Sequence, residues 1–87
     1  MNHRIGQIAG RVWRFLGEKG NVSISQVESA IDENPELTSM ALGWLARENK
    51  VTFQETGSAR HATVTVALTL EERRIFEAVR DTASAAR

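Results

Sequence analysis

The chain has 87 residues, Lys plus Arg and Asp plus Glu number 11 each, 41% of the residues are apolar, and there is no cysteine. This length has room for one compact unit with one core, and the missing cysteine excludes disulfides and thiolate metal sites. A formal net charge of zero excludes the overall basic surplus with which dedicated nucleic-acid binders neutralise phosphate.

Charge is nevertheless uneven along the chain. Arg4, Arg11, Arg14 and Lys19 make the first stretch basic, and Glu28, Asp32 and Glu33 make the next one acidic. Eleven of the apolar residues are alanine, leaving 25 larger side chains, enough for a modest core. The first twenty residues carry arginines through their apolar positions and never reach an apolar run of signal or membrane length, so a soluble, cytoplasmic protein with no membrane contact is expected.

Ile5, Ile8, Ala9, Val12, Phe15 and Leu16 recur at intervals of three and four, which places them in one stripe of a first helix. Trp13 falls at the margin of that stripe, Arg4, Arg11 and Arg14 fall opposite it, and Arg14 and Glu18 are spaced to pair across one turn. Gly17 and Gly20 bracket the stop, Gly20-Asn21 is turn chemistry, and Val22-Ser23-Ile24 alternates like a very short strand. Ser25 with Glu28 three residues on is a capping box that starts a second helix at residue 26 and buries Val27, Ala30 and Ile31. Asn34 before Pro35 is a further start signal, because proline at the first helical position loses no hydrogen bond; this third helix runs to about Glu48.

Residues 50–55 alternate with Val51 and Phe53 on one face, and residues 62–68 alternate with Val64, Val66 and Leu68 on one face. The Gly57-Ser58 turn between them predicts an antiparallel hairpin. Thr69 with Glu72 forms another capping box, opening a fourth helix with a narrow stripe of Ile75, Phe76, Val79 and Ala83. The last five residues are expected to fray. Two short helices followed directly by a hairpin, with a third helix packed across them, predict an α+β fold, the winged helix-turn-helix. It has a three-helix core, a two-stranded wing plus a short strand, and an extra C-terminal helix. Residues 1–68 form the winged helix-turn-helix domain, and residues 69–87 form a helix appended to it.

The residues themselves carry a resemblance. Ile5-Gly6, Ala9-Gly10-x-Val12-Trp13, Glu18-Lys19-Gly20, Ser23-Ile24-Ser25 and above all Ala41-Leu-Gly-Trp-Leu-Ala-Arg-Glu48 with Lys50-Val51 resemble the small prokaryotic winged helix-turn-helix proteins catalogued as a domain of unknown function. The resemblance spans roughly residues 4 to 68. It implies a compact winged helix with no known reaction, cofactor or agreed partner, and it stops short of the fourth helix.

On a helical wheel of the third helix, Leu37, Met40, Ala41, Trp44 and Leu45 are expected to face inward. Thr38, Ser39, Leu42, Gly43, Ala46, Asn49 and Lys50 face outward or sideways. Base readout in a major groove calls for Arg, Lys, Asn or Gln, yet the middle of this outer face is small and apolar. Thr38, Ser39, Arg47, Lys50 and the wing's Arg60 are the candidate contacts to double-stranded DNA, suited to gripping phosphate more than to reading bases. Glu36, in the first turn, suits the helix dipole and repels phosphate.

The competing reading is a protein-interaction module that binds no DNA and presents Leu42, Gly43, Ala46, Ile75, Phe76 and Val79 to a partner protein. The C-terminal stripe is too narrow to stand alone, so it docks on its own domain or makes a homodimer with a second copy. Gly43 and Leu42 packing within their own domain is an equally simple reading of that surface. Both tryptophans are expected in the core, and Arg60 and His61 in a solvated turn. Arg73, Arg74 and Arg80 interleave with Glu71, Glu77 and Asp81 as a salt-bridged exterior. No pattern for a catalytic residue, metal or cofactor is present, so no enzyme activity is expected.

Overall fold

The apolar stripe of the first helix becomes the spine of the molecule. The computed structural model describes residues 2–85, with side-chain surroundings as far as residue 82. Its elements are α1 (Asn2–Lys19), β1 (Val22–Ser23), α2 (Ile24–Ile31), α3 (Pro35–Arg47), β2 (Val51–Thr56), β3 (Thr63–Leu68) and α4 (Leu70–Ala85). One cluster joins Ile8, Val12 and Leu16 of α1 to Val27 and Ile31 of α2, Leu37, Ala41, Leu42 and Leu45 of α3, the sheet and Phe76 of α4. Each such fully buried aliphatic contributes on the order of 1.5–3 kcal/mol relative to exposure, and these contacts hold short helices that would not persist alone.

The strands form one antiparallel sheet in the order β1-β3-β2. Val66 is its centre, paired with Val22 on one side and Phe53 on the other, and it is fully buried. Val51, Val66 and Leu68 face the core; of the residues on that same face by alternation, Phe53 is exposed on the edge strand although its partner Val66 is buried, and Val64 is exposed farther along, where the hairpin has left the body of the domain. This projecting part is the wing. Gly57 turns it with φ 92°, a left-handed conformation that favours glycine.

Several local expectations are corrected. The pattern of a serine with Glu or Gln three residues on occurs twice, and the earlier one is used. Gln26 N–H donates to Ser23 Oγ at 3.1 Å and Ser23 N–H donates to Gln26 Oε1 at 2.8 Å. Because Ser23 pairs with Thr65 in the sheet, its extended backbone lets α2 start immediately after the strand at Ile24, two residues before the expected start at residue 26. Ala30 is exposed, so α2 buries only Val27 and Ile31.

Gly17 does not stop α1. The helix runs through it to Lys19, and Gly20 ends it with φ 81° and an N–H donated to Leu16 O at 2.8 Å. Gly17 is instead a notch, since a Cβ there would collide with the Phe76 ring. The second capping box is only half made. Glu72 N–H donates to Thr69 Oγ1 at 3.5 Å, but Thr69 N–H goes to Lys50 O and the Glu72 carboxylate turns elsewhere. The Arg73 guanidinium donates to Leu16 O at 3.2 Å and Gly17 O at 3.4 Å, so α4 places a cation at the negative end of α1.

The backbone of α4 continues helical to Ala85, through the first three of the five residues expected to fray; Ala86, Arg87 and the side chain of Ala83 lie outside the described residues. No helix among them is long and apolar enough to cross a membrane.

Candidate nucleic-acid interface

Helix α3 starts cleanly because Asn34 Oδ1 accepts from Glu36 N–H at 2.8 Å and Pro35 follows the cap. Its buried stripe is Leu37, Thr38, Ala41, Leu42 and Leu45. This is rotated from the expected stripe, and the candidate residues move with it. Thr38, a candidate DNA contact, is 0% exposed, and Leu42, a candidate protein contact, is 4% exposed; both are core residues. Met40 and Trp44, expected inside, are 50% and 46% exposed.

Hydropathy alone admits both stripes, because apolar residues occupy more than half of the helix circumference. Packing into the core selects the observed one, and Thr38 permits it. Its hydroxyl donates back to Asn34 O at 3.3 Å, which satisfies the polar atom locally and lets the residue pack like a valine.

At about 100° per residue, the outward side of α3 is centred on Glu36, Gly43 and Arg47, with Ser39 and Met40 beside them, all exposed. Trp44 lies on the flank toward α1, and Ala46, half-buried, packs against the core on its own side. A Cβ on Gly43 would meet nothing within 4 Å. Close packing within the domain therefore does not explain this glycine, although it does explain Leu42. Arg60 and His61 are exposed near the wing turn.

Lys50 is placed differently. Its Nζ lies 3.4 Å from Glu72 Oε1, on the side of α1 and α4, and the same oxygen accepts from Trp13 Nε1 at 2.9 Å. The Glu72 side chain is only 13% exposed. Trp13 meets Phe76 edge-on with ring centroids 5.5 Å apart, so Phe76, a candidate for a partner surface, is occupied inside its own chain. Ile75 and Val79 remain exposed. Nothing in the sequence announces the Trp13–Glu72–Lys50 contact, because Glu72 is already explained by its cap.

The basic face of α1 is largely engaged. Arg4 and Arg11 both bind Glu33, at 2.9 and 3.0 Å, and Arg11 also donates to Ile31 O at 2.7 Å. The hydrogen bond from Arg4 is the largest influence on the Glu33 carboxyl; burial opposes it, and the charge of Arg4 with the hydrogen bond and charge of Arg11 add to it, so the group is held below the ordinary glutamate range. These contacts pin the connection between α2 and α3. Arg14, opposite Glu18 in spacing, forms no ion pair among the described residues, and of the interleaved charges Arg73, Arg74, Arg80, Glu71, Glu77 and Asp81 only Arg80 and Asp81 pair, at 3.8 Å. No group of three or more His, Asp or Glu among the described residues is placed to hold one metal ion.

Two helices joined by a tight turn, the second with an open outer face and a β-hairpin at its side, define a winged helix-turn-helix protein. The family model described as a winged helix-turn-helix domain (DUF2582) matches residues 1–64, and the chain belongs to that family. It is 41% identical over 51 residues to the uncharacterized protein MJ1608 of Methanocaldococcus jannaschii, a match covering 55% of this chain and 71% of that one. The solution structure of protein BT2368 from Bacteroides thetaiotaomicron superposes with a TM-score of 0.65 at 33% identity, covering 78% of this chain and 79% of that one. Streptococcus pneumoniae FabT, solved in complex with DNA, shares the fold with a TM-score of 0.71 at 19% identity; 90% of this chain aligns, spanning 54% of FabT. The family match ends before α4, whose contacts with α1 are therefore properties of this chain that the family model does not describe.

Proposed function

We propose that the protein is a DNA-binding, transcription-regulatory winged helix that holds duplex DNA mainly by its backbone. One observation carries this reading: the outward face of α3 is uncovered by any other element and presents Ser39, Gly43 and Arg47 in a row beside an exposed wing bearing Arg60. Gly43 lets the helix approach a groove closely, Ser39 and Arg47 supply donors, and Arg60 reaches a neighbouring phosphate. No Asn, Gln or Lys stands on that face to read base edges, and Glu36 opposes phosphate at its start, so affinity is low. Lys50 contributes to a duplex contact only by giving up Glu72. That FabT was solved with DNA adds support by analogy of fold.

The test is a titration of labelled mixed-sequence duplex followed by α3 and wing amide shifts at two salt concentrations. With two to three phosphate contacts, the logarithmic salt slope is about −2, and Arg47→Ala reduces it by about one. Unmoved α3 and wing amides at low salt would sink the reading.

A protein-interaction role is the second reading. It is favoured by the half-exposed Met40 and Trp44 on the flank of α3 and by the zero net charge. In that case Gly43→Arg leaves the fold intact and removes a captured partner, while duplex binding is absent from the start.

A further inference from the structure

Beside α1 runs an apolar trough made of two adjoining cavities of about 430 and 310 Å³ that share Gly6 and Trp44. Ile5, Met40 and Trp44 wall one end, and Trp13, Trp44 and Ile75 wall the other. Its floor is helix backbone at Gly6 and Gly10, where a Cβ would meet nothing within 4 Å. The same surface carries a ridge. Helix α4 is seated by Phe76, yet residues 77–82 are all exposed, and Ile75 and Val79 stand 48% and 59% exposed, one turn apart on one side of the helix. A helix half-uncovered in this way has too little packing to be stable by propensity alone.

We infer that the occupant of the trough is α4 of a second copy of this chain, packed antiparallel on α1 in an isologous dimer. The register follows from spacing and charge. Gly6, Gly10 and Arg14 lie four residues apart on one face of α1, and Glu71, Ile75 and Val79 lie four apart on one face of α4. Laid antiparallel, the second copy's Val79 enters the cavity at Gly6, its Ile75 the cavity at Gly10, and its Glu71 meets Arg14. Arg14 and Glu71 are exposed, and neither forms an ion pair within the chain among the described residues. The parallel arrangement instead sets Glu71 on Gly6 and Val79 against Arg14, which loses both the apolar and the ionic match.

Recess and ridge adjoin on one molecule, Ile75 belonging to both, and this closeness favours making the contact twice about a two-fold axis, as an isologous interface requires, over an open head-to-tail chain. The dimer carries two copies of the α3 face. Its existence does not rest on the DNA reading, because association is measured without nucleic acid.

Sedimentation of the full chain across a concentration series, with Trp44 and Trp13 emission followed in parallel, tests the proposal. The expected result is a reversible dimer with blue-shifted emission at high concentration. Gly10→Gln places in the recess a side chain whose β-carbon meets nothing within 4 Å in the single chain, so it abolishes the dimer while the thermal midpoint of the monomer holds or rises. Arg14→Glu and Glu71→Arg each raise the dimer Kd roughly tenfold, the pair being counted twice per dimer, and the double variant returns it toward the starting value. A chain that stays monomeric throughout overturns the inference and leaves the trough to a small ligand or a different protein. A dimer indifferent to Gly10→Gln, or a double swap without rescue, overturns it as well.

Discussion

The Phe76 ring of α4 lies directly against Gly17 of α1, in the volume that any β-carbon at position 17 would need. A glycine inside a helix thus serves as the seat for the helix that follows the wing.

The sign of one substitution separates this packing role from helix propensity. Propensity alone makes Gly17→Ala stabilising by about 1 kcal/mol. The collision with Phe76 reverses it, and a net loss of roughly 1–3 kcal/mol is expected, read as a lower urea midpoint. In the Phe76→Ala background the same change regains its stabilising sign.

Glu72 ties α4 to α1 and to the connection between α3 and β2 through one oxygen, accepting from Trp13 at 2.9 Å and lying 3.4 Å from Lys50. Replacing it by leucine leaves the indole N–H and the ammonium without that partner. A loss of about 1–3 kcal/mol is expected, with Glu72→Gln costing less because the amide oxygen still accepts from Trp13. Urea unfolding of the two variants checks the order.

Glu33, clamped by Arg4 and Arg11, has its carboxyl held below the ordinary glutamate value in the fold. Such a group adds stability that is fully present above its unfolded pKa and is lost as pH falls through the lowered folded value. Thermal midpoints measured from neutral pH downward therefore fall more steeply for the native chain than for Glu33→Gln through the acid side of the glutamate range. Parallel curves would remove the clamp from the account of acid stability.

Trp44 and Leu42 make a contrasting pair on α3. Leu42→Ala, at 4% exposure, is expected to cost about 2–5 kcal/mol. Trp44→Ala, at 46% exposure, is expected to cost less than Leu42→Ala in the monomer despite removing far more atoms. Equilibrium unfolding at low protein concentration makes the comparison free of self-association.

Element order, the hairpin, the Asn34-Pro35 start of α3 and the winged-helix architecture were legible in the linear sequence, because each rests on local chemistry: a period of 3.6 or 2, a cap, a turn residue. The outer face of α3 was legible only in part. The wheel puts Ser39 and Gly43 on the side where they lie, whereas Thr38, Leu42, Met40 and Trp44 take the opposite side from the one it gives them.

The difference is physical. An apolar-rich helix offers two nearly equivalent stripes, and the packing of α3 into the common core selects one of them. In the same way, only tertiary packing turned Gly17 from a stop into a seat, drew Glu72 from its cap to Trp13 and Lys50, and engaged two of the three α1 arginines on Glu33. Local free energies determine where elements begin and end. Which side of an element meets water is determined by shape and charge in residues 20 to 60 positions away, and these come together only when the chain folds.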